Sequence, residues 1–255
     1  MKINIFLLLS FFSMNLIQAQ LKSISYSDEN QKLNGFGIQA KIPSENKPGI
    51  LILPAWKGID SHSKEVAEQL SELNYNVFIA DIYGEGYYPT SIKEAGEQSG
   101  FYKKNFLRYR KRIQLALEQL IKLGTHPDNI VVIGYCFGGT GALEVARGKM
   151  EVKGVVSIHG GLSKEVTRFN NPISTKVLVL HGANDPYVSE ESIKNFQNEM
   201  RDGNADWQMI YYANAVHAFT EKSAGNDNSK GAAYNEKADK RSWQHLKIFL
   251  HEVLK

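Results

Sequence analysis

The chain has 255 residues, of which 42% are hydrophobic and 22% charged, and its formal net charge is +3. These proportions are those of an ordinary globular protein, long enough for one domain with a sizeable core. The positive excess is small and dispersed, which argues against nucleic acid. The one basic cluster (Lys103, Lys104, Arg108, Arg110, Lys111, Arg112) falls on an amphipathic helical pattern and reads as a solvated face.

One lysine, Lys2, precedes an apolar run over 5–12, and a small residue, Ala19, follows. This is the pattern of a secretory signal peptide over 1–19, leaving 20–255 as a single mature domain with a periplasmic or secreted location. The apolar run is shorter than the about 20 residues a membrane span needs, so no stable insertion is expected once the leader is cleaved. An uncleaved anchor is the alternative. No cysteine lies near Ala19, which excludes a lipid anchor of the bacterial lipoprotein type.

Strand and helix patterns then alternate. Residues 35–42 read as an early strand, and 49–54 is a near-continuous apolar run of the kind buried on both faces. A period of 3.6 over 63–73 (Val66, Ala67, Leu70, Leu73) predicts a helix, and 76–81 the next buried strand. The Gly- and Tyr-rich stretch 83–100, with Pro89, reads as a surface excursion near the site; 101–123 reads as one long helix closed by Gly124. Strands follow at 130–133, 152–158, 176–180 and 206–212, with helices from 137 to about 147, over 189–201 and mainly over 232–255; 225–230 reads as a loop. This alternation predicts an α/β fold, a mostly parallel central sheet with helices on both faces.

The only cysteine, Cys136, lies in Ile130-Val131-Val132-Ile133-Gly134-Tyr135-Cys136-Phe137-Gly138-Gly139. A β-branched run, then Gly-x-Cys-x-Gly, then a helix, is a nucleophile elbow with sulfur in place of the usual hydroxyl. The glycines remove side chains where strand and helix approach, and the helix N-terminus favours a thiolate. A buried core cysteine is the bland alternative. A lone thiol in an oxidising compartment is a liability unless buried or used, which favours the functional reading.

An α/β-hydrolase orders its triad as nucleophile, acid, histidine, each acid or base in a loop after a strand. The strand 176–180 leads into His181-Gly182-Ala183-Asn184-Asp185-Pro186, which makes Asp185 the candidate acid; an Asx turn or helix cap is the alternative. The strand 206–212 leads to His217, the candidate base. His159 and His181 also follow strands and are candidates to line the site. His62, His126, His245 and His251 fall where no link to the elbow is expected. The backbone N–H groups of Phe137 and of Trp56, in Leu53-Pro54-Ala55-Trp56-Lys57-Gly58, are the expected oxyanion donors.

Gly134-Tyr135-Cys136-Phe137-Gly138-Gly139, His181-Gly182-Ala183-Asn184-Asp185-Pro186 and Val216-His217-Ala218-Phe219 resemble the dienelactone hydrolase family, a cysteine branch of the α/β-hydrolases. The resemblance covers nearly the whole mature chain and implies Cys136, Asp185 and His217 as the triad, with Phe137 and Trp56 amides as the oxyanion hole. It implies an ester or lactone hydrolase with no cofactor. Members that act on the ring-cleavage lactone carry a glutamate where this chain has Ala55, and a substrate-binding arginine where it has Glu221. A carboxylate at Glu221 is expected to repel anionic substrates and favour neutral ones, unless Arg108 or Arg110 compensates. Tyr135 and Tyr88 are further candidates for substrate contact, within an aromatic set (Trp56, Tyr83, Tyr87, Tyr88, Tyr135, Tyr187) that is either a substrate wall or ordinary packing. No metal-ligand spacing or phosphate-binding glycine loop is present. The other reading of the chain is a non-catalytic binding protein of the cell envelope that keeps the hydrolase fold.

Overall fold

The structure, a computed structural model, describes residues 20–254; the proposed leader over 1–19 lies outside them. Eight strands form one sheet in the order β1-β2-β4-β3-β5-β6-β7-β8. Strands β3 (Gly49–Leu53), β4 (Asn76–Ile79), β5 (Ile130–Tyr135), β6 (Gly154–Ile158), β7 (Lys176–Gly182) and β8 (Trp207–Tyr212) run parallel. Strands β1 (Lys22–Asp28) and β2 (Gln31–Ile38) form an antiparallel hairpin at one edge, and β2 is antiparallel to β4. The molecule has the α/β-hydrolase architecture, as the alternation predicts.

Side chains of a strand alternate between faces, and here they build two cores. Leu51, Leu53, Val132, Val155 and Val177 pack against α3 (Phe106–Lys122), α4 (Phe137–Arg147) and α5 (Glu190–Asp202) through Tyr109, Ile113, Leu143 and Phe196. Ile50, Ile52, Val131, Ile133, Tyr135 and Val156 pack against α1 (Ser61–Glu72) and α6 (Glu236–Val253) through Val66, Leu70, Leu246 and Leu250. Strand order reverses between β3 and β5, since β4 lies on one side of β3 and β5 on the other. The crevice beyond the carboxyl ends of two such strands is where open α/β sheets bind ligands. The Trp56 loop and the Cys136 turn both leave from there.

Three elements differ from the sequence reading, the first being the strand expected over 35–42, which is β2 and runs from Gln31 to Ile38. The edge strand β1 shows only Ile24 and Tyr26 alternating with polar residues, a weak signal typical of a half-exposed edge. The helical pattern assigned to 101–123 is two helices. The first, α2 (Ile92–Lys104), is capped by Ser91, whose hydroxyl accepts from Glu94 N–H, so much of the expected surface excursion is helical. It stops at Asn105, whose backbone leaves the helical region (φ −101°, ψ 58°) and whose side-chain amide donates to the Phe101 carbonyl.

Candidate active site

Cys136 sits between β5 and α4 at φ 53°, ψ −113°, a backbone conformation that a side-chain-bearing residue adopts only under constraint. The constraint is steric and visible in the two flanking glycines. A Cβ on Gly134 would lie 2.0 Å from the Gly138 carbonyl oxygen, and one on Gly138 would lie 2.0 Å from the Leu53 carbonyl oxygen. The backbones of β5, α4 and β3 therefore close on each other only because those two positions lack side chains. Cys136 N–H donates to Ile158 O at 3.0 Å, which ties the bend to β6. Cys136 is partly exposed.

Asp185 and His217 leave the ends of β7 and β8. His217 Nδ1 donates to Asp185 Oδ2 at 2.8 Å, and Cys136 lies close enough to the same ring to affect its basicity. Asp185 Oδ1 accepts from Tyr187 N–H at 2.9 Å, so both carboxylate oxygens are engaged. Burial by itself would lower the basicity of His217. The hydrogen bond to Asp185, the interaction with Cys136 and the charges of those groups outweigh burial and push its pKa up to about 10. Edge-to-face contacts fix the ring plane, with His159 on the buried side and Tyr187 on the outer side, each 5.3 Å away between centroids.

The two expected oxyanion donors also leave this crevice. Phe137 is the first residue of α4, and among the described residues neither its N–H nor that of Trp56 makes another hydrogen bond. Gly58 N–H donates to Ala55 O at 2.9 Å, which holds the peptide plane carrying the Trp56 N–H. Tyr83 Oη donates to the Trp56 carbonyl at 2.7 Å from the other side. Burial and the neighbouring Cys136 keep the Tyr83 hydroxyl protonated, well above the ordinary phenol range. Behind Phe137, Tyr109 stacks at 4.6 Å and donates to its carbonyl at 3.1 Å. Tyr109 carried no motif in the sequence; its place on the buried stripe of α3 was its only mark.

Other expected contacts fall elsewhere. Tyr88 Oη donates to Asp81 Oδ2 at 2.7 Å, so its hydroxyl ties down a loop. Tyr135 points across the sheet from Cys136, because β5 alternates and Tyr135 shares the face of Ile133. Glu221 lies on that same side, and with Tyr135 it lines a separate cavity. Burial, then Asp60, Asp239 and Glu65, push its pKa up to about 8. At that value it is mostly protonated at neutral pH, and the cavity it lines does not include Cys136. Arg110 pairs with Glu144 at 2.8 Å, and Arg108 lies over Phe101. His62, expected to have no link to the elbow, meets the Tyr135 ring edge-to-face at 4.9 Å and lies 3.5 Å from Glu221. His159 is fully buried, with Nε2 2.9 Å from Thr220 Oγ1, and burial with the adjacent His217 holds it well below the ordinary histidine pKa. His181 is also buried, and burial lowers its pKa. Among the described residues no group of three or more His, Cys, Asp or Glu side chains could hold a metal ion, and no helix is long and apolar enough to cross a membrane.

The family model described as the dienelactone hydrolase family matches residues 36–254, a span that runs from β2 to the end of α6. The chain belongs to the dienelactone hydrolase family. Among solved structures this family member is similar to m3DLH, at 30% identity and a TM-score of 0.87, covering 93% of this chain and all of that one. It is equally similar to the dienelactone hydrolase-like promiscuous phosphotriesterase P91 from metagenomic libraries, at 31% identity and a TM-score of 0.87 over the same shares. A probable 2-oxo-3-(5-oxofuran-2-ylidene)propanoate lactonase from Bradyrhizobium sp is 24% identical over 213 residues, 80% of this chain and 83% of the relative. This dienelactone hydrolase family member is accordingly a carboxylic ester or lactone hydrolase.

Proposed function

We propose that the protein is an exported hydrolase of small esters, lactones or thioesters that works through Cys136, His217 and Asp185 and a thioester acyl-enzyme. The observations that carry this reading are Cys136 at a strained elbow and the 2.8 Å bond from His217 to Asp185, with the Cys136 sulfur close enough to His217 to raise its pKa. A Cys–His pair of this kind acts as thiolate and imidazolium.

Cys136 Sγ attacks the substrate carbonyl and forms the C–S bond while the carbonyl electrons move onto oxygen. The Trp56 and Phe137 N–H groups donate to that oxyanion. The tetrahedral intermediate collapses with cleavage of the bond to the leaving oxygen or sulfur, and the His217 imidazolium gives that atom its proton. Neutral His217 then takes a proton from water, whose oxygen attacks the thioester. The second intermediate collapses with the electron pair returning to sulfur, which leaves the acid product and the starting ion pair. Asp185 stabilises the imidazolium and fixes its tautomer throughout.

The export reading rests on the leader-like sequence over 1–19, and a fractionation that finds the full-length chain in the cytosol would remove it. The catalytic reading is tested with 4-nitrophenyl acetate, wild type against Cys136→Ala, with intact-protein mass spectrometry during turnover. The expected result is an acetyl adduct on wild type and neither adduct nor turnover on the variant. Wild-type rates in Cys136→Ala would sink the mechanism. The similarity to P91 supports including a neutral aryl phosphotriester in the substrate panel.

A further inference from the structure

A cavity of about 260 Å³ opens on the α1/α6 face of the sheet, between the start of α1, the turn after His217 and the first half of α6. Cys136 is not among its lining residues. Its polar lining does not close on itself. Tyr135 is only 3% exposed, lines the cavity, and its hydroxyl has no hydrogen-bond partner among the described residues. Glu221 is 9% exposed, and its Oε1 makes no hydrogen bond although His62 Nε2, also without one, is 3.5 Å away.

The charges around this space are unbalanced. Glu65 and Asp239 line it beside Glu221, itself mostly protonated at neutral pH, and Asp60 adjoins them closely enough to perturb Glu221. The cations there are Lys222 and Lys240, and Lys240 is held by Glu236 at 2.6 Å. The half-buried Trp243 adds an aromatic wall beside Tyr135. Carboxylates, aromatic surface and an unpartnered phenol suit a compact organic cation, which gains from charge-assisted hydrogen bonds and from the aromatic quadrupoles together.

We propose that this cavity binds a small organic ammonium ion, with Glu221 as its counter-ion and Tyr135 Oη as a hydrogen-bond acceptor. The site stands apart from the catalytic reading, since none of its residues takes part in the acyl-transfer steps. Arrival of the cation favours the ionised form of Glu221, whose proton, otherwise retained up to about pH 8 because of burial and the surrounding Asp60, Asp239 and Glu65, leaves to solvent. Binding is therefore proton-linked and tightens as pH rises. His62, lowered by burial, stays neutral over that range and adds no competing charge. The ammonium is either a free amine or an amino group carried by a substrate; the chemistry of recognition is the same.

The test is calorimetric titration of n-butylammonium chloride into the full chain and into Cys136→Ala, at constant ionic strength, in buffers of different ionisation enthalpy. Saturable binding is expected in both, with proton release at pH 7 and at least about tenfold higher affinity at pH 8.5 than at pH 6.5. Glu221→Gln is expected to lose about tenfold in affinity and all of the proton release. Tyr135→Phe is expected to weaken binding about threefold or more with proton release retained. Absence of saturable binding, or equal binding by wild type and Glu221→Gln, overturns the proposal. Two further arms assign the source. A lower KM for the 6-amino derivative of 4-nitrophenyl hexanoate than for the parent ester, lost in Glu221→Gln, places the ammonium on the substrate. Equal KM values, with butylammonium not competing, place it on a free amine.

Discussion

Two histidine–carboxylate pairs lie on opposite sides of the turn that follows β8, and their protons sit in opposite places. His217 and Asp185 meet at 2.8 Å, and His217 is pushed up to about 10. His62 and Glu221 approach to 3.5 Å, and there the histidine is lowered while the carboxylic acid is raised to about 8. Burial penalises the charged form in both pairs, so burial does not separate them. Hydrogen bonding and neighbouring charge do. Asp185 accepts from Tyr187 N–H and from His217, and His217 also interacts with Cys136. Glu221 makes no comparable bond at Oε1 and is bordered by Asp60, Glu65 and Asp239. One fold thus maintains an ion pair a few residues from a neutral pair, by supplying donors to one carboxylate and more carboxylates to the other.

The same acid-to-amide exchange at the two carboxylates should therefore give different results. Asp185→Asn removes the acceptor that stabilises the His217 imidazolium, and kcat/KM for 4-nitrophenyl acetate should fall by about 10²- to 10⁴-fold. The alkaline limb of the wild-type rate profile is expected near pH 10, where His217 loses its proton, and should move to lower pH in the variant. A variant with the wild-type alkaline limb would mean that Asp185 does not set the charge of His217, and the contrast between the pairs would lose its cause.

A smaller effect is expected one residue shell away. Tyr83→Phe keeps the ring stacked near Phe137 (5.8 Å) but removes the bond to the Trp56 carbonyl. A lost hydrogen bond of about 1 kcal/mol predicts a roughly fivefold fall in kcat with little change in KM for small esters. An unchanged kcat would show that the turn bond from Gly58 to Ala55 holds the Trp56 peptide without help.

What could be read from the sequence tracks how local the determining physics is. The bend at Cys136 was legible because its cause, the absence of side chains at Gly134 and Gly138, is written at the two positions that need it. The buried parallel strands were legible from runs such as 50–53 and 130–133, which permit no exposed face. Strand β1 was not, because an edge strand with Ile24 and Tyr26 among serines resembles a polar loop. The break at Asn105 was not, because helical periodicity continues on both sides of it and the bond from Asn105 to Phe101 is made only in the folded chain. Glu221 was placed by its spacing from His217, but which side of the sheet its side chain takes depends on the turn from Ala218, whose φ is 57°. Its charge state depends on carboxylates from α1 and α6 that no local window contains.

The last effect is on stability. A carboxylic acid raised from 4.5 to about 8 on folding binds its proton more tightly in the native than in the unfolded chain. Between those values the unfolded state has released the proton and the native state has kept it, so each step up in pH favours unfolding, and the penalty is complete above about pH 8. Glutamine at position 221 keeps the shape and cannot ionise. Relative to wild type, Glu221→Gln should gain little at pH 4.5 and progressively more towards pH 8.5, on the order of 10 °C in Tm for the full rise from 4.5 to about 8 in a domain of this size. His217 cannot imitate this signature. Its raised pKa gives stability that is present in full below pH 6.5 and is lost as pH rises towards about 10, in wild type and variant alike, so it cancels in their difference. A Tm difference that stays flat from pH 4.5 to 8.5 would mean that Glu221 ionises in the native protein as it does in the unfolded one, and that the second pair is not neutral.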